Sequence, residues 1–144
     1  MYRFIVTIHA RPAEAIEAGE IDVAQRRMRT LQVSQATLAA TPMDCTFETA
    51  CERLAALERM FCEPDGSFVW TSAHDQPAWQ VDGNLYDHQG RLQFVDLSGV
   101  CPAEQFDRLL AAWGWPETPL VFQLTREGVL LEETEFRRIA DARE

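Results

Sequence analysis

The chain has 144 residues, of which 47% are hydrophobic and 25% are charged, the composition of one globular domain spanning residues 1–144. Its formal net charge of −10 opposes binding to nucleic acid, because that binding depends on basic side chains that displace counterions from phosphate. All its basic residues other than histidine are arginine, which excludes Schiff-base and P-loop lysine chemistry.

The first predicted element is a strand over residues 2–9, which are rich in aromatic and β-branched side chains. Its apolar run at residues 4–8 is too short for a signal-peptide core or a membrane span. We therefore expect no membrane association and a cytoplasmic location, in which the four cysteines stay reduced.

The next segment is predicted to be helical. Residues 12–18 suit a short helical turn that ends at Gly19. The apolar positions that follow have the spacing of an amphipathic helix: Ile21, Ala24, Met28 and Leu31. Residues 32–41 are compatible both with a continuation of this helix and with an extended segment, and the sequence does not decide between them.

A second helix is predicted after residue 40. Thr41 is the favoured N-cap because Pro42 suits the first helical position, and Thr46 is nearly as good a start. One side of this helix is apolar: Met43, Phe47, Ala50, Leu54, Leu57 and Phe61. The turn sequence at residues 64–66 ends the helix.

Three strands are predicted next, at residues 67–72, 78–87 and 91–97, and together they form an antiparallel meander. A glycine-containing turn at residues 88–90 joins the last two strands. The run YDHQGRL across this turn resembles one hairpin of the tyrosine-aspartate repeat of large bacterial shell-forming proteins. It occurs once, without the tandem copies of those proteins, so the resemblance implies no function for this chain.

The last part of the chain is predicted to form a helix from Cys101 to Gly114, a strand at residues 120–124 and a helix at residues 133–140. The final helix would carry glutamates in its first turn and Arg137 and Arg138 in its last. The sum is an α+β fold, a two-layer domain with an antiparallel sheet of about five strands and helices packed on one face. The sequence has no glycine-rich loop between a strand and a helix, so it does not predict a dinucleotide-binding fold.

Four residues are the candidates for catalysis. As the N-cap of a helix, Cys101 would have a lowered pKa, and His88 or His74 would have to serve as its base. Glu58 lies on the flank of an apolar stripe, where it is either a paired rim residue or a carboxylate with a raised pKa. The cysteines are too widely spaced for a zinc site, so we expect neither metal nor cofactor.

The tryptophans are the candidates for a binding surface. Trp115, in a Gly-Trp-Pro loop, and Trp79, on the meander, either contact a partner or pack the loops onto the sheet. The favoured hypothesis is a non-catalytic binding module with an aromatic-lined surface, whose partner is another protein or a second copy of the chain. The alternative is a small enzyme that uses the Cys101 thiol with a histidine base.

Overall fold

A computed structural model describes residues 1–142, and this part of the chain contains nine strands and four helices. The strands are β1 (Tyr2–Ala10), β2 (Ile16–Val23), β3 (Arg26–Gln32), β4 (Met60–Cys62), β5 (Ser67–Thr71), β6 (Gln80–His88), β7 (Arg91–Cys101), β8 (Leu120–Leu124) and β9 (Val129–Glu132). The helices are α1 (Gln35–Ala39), α2 (Phe47–Ala55), α3 (Ala103–Ala112) and α4 (Glu133–Ala142). None of these helices is long and apolar enough to cross a membrane.

All nine strands belong to one antiparallel sheet, in the order β2-β3-β9-β8-β1-β7-β6-β5-β4. The mixed helix-and-sheet class with a large antiparallel sheet is therefore confirmed, but the predicted size of about five strands is wrong. The meander β5-β6-β7 was expected from the sequence, and so were β1 and β8. The additional strands are β2, β3, β4 and β9.

The predicted helix from Ile21 is wrong, because residues 16–32 form the β2-β3 hairpin. Ala24 and Gln25 take φ values of 49° and 64°, the left-handed conformation that a two-residue hairpin turn requires. Ile21 and Met28 are directly opposite each other across this hairpin. Their seven-residue separation fits a helical stripe equally well, so the apolar spacing was ambiguous.

The hairpin also explains the segments on either side of it. Residues 12–15 form a turn closed by a hydrogen bond from the Ala15 N–H to the Pro12 carbonyl, and the chain is extended from Ile16 rather than helical. After β3, the undecided residues 32–41 contain the short helix α1, whose N-cap Ser34 accepts a hydrogen bond from the Thr37 backbone.

Helix α2 starts at the alternative cap, Thr46, whose hydroxyl accepts a hydrogen bond from the Thr49 N–H at 3.0 Å. The start at Thr41 is wrong because residues 43–46 run beside β7, where Met43 and Cys45 exchange backbone hydrogen bonds with Leu92. The helix ends at Ala55, so Phe61 lies on β4 instead of the buried helical stripe.

The sheet has helices on both faces, which corrects the predicted single covered face. On one face, Phe4, Val6 and Ile8 of β1 belong to the main core, together with buried residues of α2, α3 and α4. A smaller cluster lies on the other face of the sheet. It consists of Leu31 of β3, Val121 of β8, Leu130 of β9 and Leu38 of α1. The buried contacts of α1 on that face are with β3, β8 and β9, and the Gln93 amide of β7 also donates to the Ala39 carbonyl of α1 at 2.8 Å.

Candidate functional site

Cys101 does not occupy the predicted helix N-cap. It is the last residue of β7, opposite Tyr2, and Pro102 is the N-cap of α3. Its side chain is fully buried, and this burial raises the pKa of the thiol to about 12. The predicted lowering of the pKa is therefore the reverse of what its environment produces, because desolvation outweighs any effect of the helix end.

The histidines proposed as bases are not positioned to serve this thiol. His88 pairs with Arg91 at the opposite end of β7, ten residues along that strand from Cys101, which is roughly 33 Å. His74 lies exposed in the loop between β5 and β6. Neither imidazole makes a hydrogen bond or an ion pair with the described residues.

Glu58 lies in an exposed turn after α2, beyond the end of the apolar helical face on which it was placed. Its backbone carbonyl accepts a hydrogen bond from the Trp70 indole at 2.8 Å, so the residue shapes the turn through its main chain. Its carboxylate makes no ion pair with the part of the chain that the structure describes.

The two tryptophans that are candidates for a partner surface contribute to the packing of the chain itself. Trp79 is only 8% exposed and forms an edge-to-face pair with Trp70, with ring centroids 5.0 Å apart. The Trp115 indole donates a hydrogen bond to Glu133 at 2.6 Å, and the Arg137 guanidinium lies 5.3 Å from the centre of its ring. These contacts agree with the second of the two alternatives, in which the tryptophans pack the loops onto the sheet.

Other aromatic side chains are exposed, on the part of the sheet that α1 leaves open. We call this surface the shelf; its residues are Ile5, Thr7, His9, Phe61, Val69, Asp82, Asn84, Tyr86, Phe94, Asp96 and Ser98. The strand register places them on one face, opposite to the main core, in rows that run across the strands. Most of them are exposed or half-buried.

The first row of the shelf is aromatic. Tyr86, Phe94 and His9 are neighbours across β6, β7 and β1. The rings of Tyr86 and Phe94 are stacked with centroids 4.5 Å apart, and the His9 ring lies 5.6 Å from Phe94. Tyr86 is 38% exposed, so this stacked pair offers an aromatic surface to a ligand.

The second row is polar and consists of Asn84, Asp96, Thr7 and, on β8, Gln123. The Thr7 hydroxyl donates to Asp96 at 2.6 Å, and the His9 Nε2–H donates to Gln123 Oε1 at 3.1 Å. Burial lowers the pKa of His9, although the Gln123 hydrogen bond and the Asp96 charge act in the opposite direction. At neutral pH the imidazole is therefore uncharged and fixed in orientation.

The third row carries Phe61, Val69, Asp82, Ser98 and Ile5 on five adjacent strands. A cavity of about 390 Å³ lies over the second and third rows, and its lining includes Asp82, Asn84, Asp96 and Ile5. A cavity of about 710 Å³ adjoins it at Ile5 and Ser98 and continues towards Arg126. The shelf therefore has a concave surface over β6, β7 and β1 that carries Asp82, Asn84 and Asp96, and the rings of Tyr86 and Phe61 lie outside its lining.

The carboxylates of this concave surface have only neutral partners. Asp96 accepts from Thr7, and Asp82 accepts from the Gln80 amide at 3.2 Å. Neither carboxylate forms an ion pair with any described residue. Among residues 1–142 no group of three or more His, Cys, Asp or Glu side chains is arranged to hold a metal ion.

Comparison with protein-family models, with curated proteins and with solved structures finds no significant match to this chain. The chemistry of the shelf is therefore the evidence that bears on its function. The sequence contains a signal for this surface in the alternation of polar and apolar residues along β6 and β7. The β6-β7 part of each row follows from a local hairpin, whereas its extension to β1 depends on the register with a strand distant in sequence, so the complete rows were not visible in the sequence.

Proposed function

We propose that this chain is a non-catalytic binding domain and that it binds a protein partner through the shelf. The observation that carries the proposal is the pair of exposed aromatic side chains on this one face, Tyr86 at 38% and Phe61 at 63% exposure. They lie on the same face as a concave surface that carries polar groups, and apolar and polar groups on one face are the usual composition of a recognition site. Exposed aromatic residues next to such a surface are typical of binding hot spots.

The thiol-enzyme alternative receives no comparable support. Cys101 is fully buried, its pKa is raised to about 12, and within residues 1–142 no imidazole is placed to take its proton. A nucleophilic cysteine needs both access for a substrate and a stabilised thiolate. We therefore place the function on the shelf.

The proposal can be tested by mapping where small organic fragments bind. Amide resonances of the protein would be recorded by NMR while a fragment library is added, because fragments collect at sites built for recognition. We expect the fragments to perturb the resonances of Tyr86, Phe94 and Phe61 more than those of any other surface. Fragments that bind elsewhere, or nowhere, would contradict the proposal.

Two variants control this experiment. Tyr86→Ser and Phe61→Ser each remove an exposed ring from the shelf, and we expect each to weaken fragment binding. Ile16→Ser removes an equally exposed apolar side chain from β2, at the far edge of the sheet. If Ile16→Ser weakens binding as much as the two shelf variants, the fragments report general hydrophobicity rather than a site.

A further inference from the structure

We infer that the partner of the shelf is a protein segment with an arginine flanked by apolar residues, and that the guanidinium binds over Asp82 and Asp96. This inference rests on the proposed function and specifies the chemistry of the partner. It follows from three properties of the shelf: its charge, its aromatic row and its width.

The charge of the shelf selects a cation. Asp82 and Asp96 lie on adjacent strands, one row apart, and both line the cavity of about 390 Å³. Both carboxylates lack an ion-pair partner among the described residues, so their charge is available to a ligand. These two carboxylates disfavour a phosphate-bearing ligand in the cavity that they line, although Arg3 and Arg126 line the adjoining one, and two shelves facing each other would bring four of these carboxylates together. Nucleic acid and a second copy of this chain are therefore both disfavoured.

The aromatic row favours arginine over lysine. Phe94 precedes Asp96 by two positions on the same face of β7, which is roughly 7 Å, and its ring is stacked with Tyr86. A planar guanidinium that pairs with Asp96 can also stack on the exposed Tyr86 ring of this row, because it forms paired hydrogen bonds with a carboxylate and stacks on an aromatic face at the same time. An ammonium group is compact and more strongly hydrated, so it gains less from the rings.

The width of the shelf indicates a polypeptide segment and not a small amine. The third row crosses five strands from Phe61 to Ile5, or roughly 19 Å at the spacing of strands in a sheet. Asp82 is at its centre, roughly 10 Å from the apolar residue at either end. An extended chain advances about 3.3 Å per residue, so apolar residues three positions before and after an arginine would reach Phe61 and Ile5.

The test uses two end-blocked heptapeptides that differ in one residue. The first is Leu-Gly-Gly-Arg-Gly-Gly-Leu, and the second has citrulline in place of arginine, which keeps the shape and removes the charge. NMR titration of the full chain should show the arginine peptide perturbing the amides around Asp82 and Asp96. We expect the citrulline peptide to bind at least fivefold more weakly, with the difference decreasing as salt is added.

Three variants connect the effect to these carboxylates. Asp82→Asn and Asp96→Asn should each weaken the arginine peptide about three- to fivefold, a modest factor because both groups are accessible to water, and leave the citrulline peptide unchanged. Asp75→Asn removes the same charge from an exposed loop and should change neither. Asp96 also accepts a hydrogen bond from Thr7, so its variant could fold poorly. In that case the binding of the two peptides to Asp82→Asn alone tests the role of the carboxylates.

Several results would overturn the inference. Equal binding of the two peptides, or equal weakening by Asp75→Asn, would show that the carboxylates do not select a cation. Agmatine alone binding as tightly as the arginine peptide would indicate a small-amine site. Concentration-dependent broadening of shelf resonances in the free protein would assign the shelf to a second copy. Fragments that still collect at Tyr86 and Phe61 would leave the shelf standing as a binding surface in each case, whereas a shelf that binds neither fragments nor peptides would contradict both the inference and the proposed function.

Discussion

Neutralising Glu135 should destabilise the protein, because this carboxylate connects α4 to β3 from a buried position. Glu135 is only 3% exposed. It accepts the Arg29 backbone N–H at 2.8 Å and an Arg138 guanidinium N–H at 2.8 Å, and the Arg29 guanidinium lies 3.7 Å away. These contacts also lower the pKa of Glu135, although burial alone would raise it. The ionised form is therefore the one that stabilises the fold.

The magnitude follows from the partners. Glu135→Gln keeps an acceptor for the Arg29 N–H but weakens that charge-assisted bond by about 1 kcal/mol. The two arginine side chains are about half exposed, so their ion pairs add only about 0.5 kcal/mol each. The sum is about 2 kcal/mol. Glu135→Ala should cost about 3–4 kcal/mol, because it also leaves the Arg29 N–H without an acceptor.

Urea unfolding followed by tryptophan fluorescence would measure these differences, with Glu117→Gln on an exposed loop as the control. Because the folded-state pKa is below the ordinary value of 4.5, the stabilisation by Glu135 is present above that pH and is lost as pH falls through the folded-state pKa. The gap between wild type and Glu135→Gln should therefore close in acid. The reasoning would be refuted if the difference in free energy of unfolding between wild type and Glu135→Gln at pH 7 were no larger than that for Glu117→Gln. It would also be refuted if that difference persisted in acid.

Three further predictions concern a turn, a histidine and a thiol. Gln25→Gly should raise the free energy of unfolding by about 0.5–1 kcal/mol, because Gln25 has a φ of 64° in the β2-β3 turn and glycine adopts this φ without strain. A decrease in the free energy of unfolding would instead support a helix at this position. Because the folded-state pKa of His9 is below 6.5, the unfolded chain binds the proton more tightly, and the free energy of unfolding should fall as pH decreases below about 6.5. His9→Leu should remove this pH dependence of the free energy of unfolding, whereas the control His74→Gln, at an exposed site, should retain it. Chemical denaturation at several pH values would measure both. Cys101 should resist a thiol reagent in the native state while exposed Cys62 reacts, and rapid native labelling of Cys101, located by mass spectrometry, would contradict its burial.

The sequence predicted the elements whose signals are local. The meander strands carry alternating residues and a glycine turn, and α3 carries an apolar stripe that ends before Gly114, whose φ of 101° suits a position just past a helix end. The cap at Thr46 was one of two alternatives, and only the pairing of residues 43–46 with β7 decided between them. Local sequence patterns thus predicted the presence of these elements better than the residues at which they begin and end.

The sequence by itself determined that this protein is acidic, lysine-free and built from helices around an antiparallel sheet. Only the tertiary structure decided that Ile21 and Met28 face each other across a hairpin, that Cys101 is buried, and that Tyr86, Phe94 and the two shelf aspartates share one face. The physical reason is that a one-residue change of register moves every side chain of a strand to the opposite face, and local patterns do not fix the register: the β6-β7 hairpin contains a bulge, and its pairing with β1 joins residues far apart in the chain.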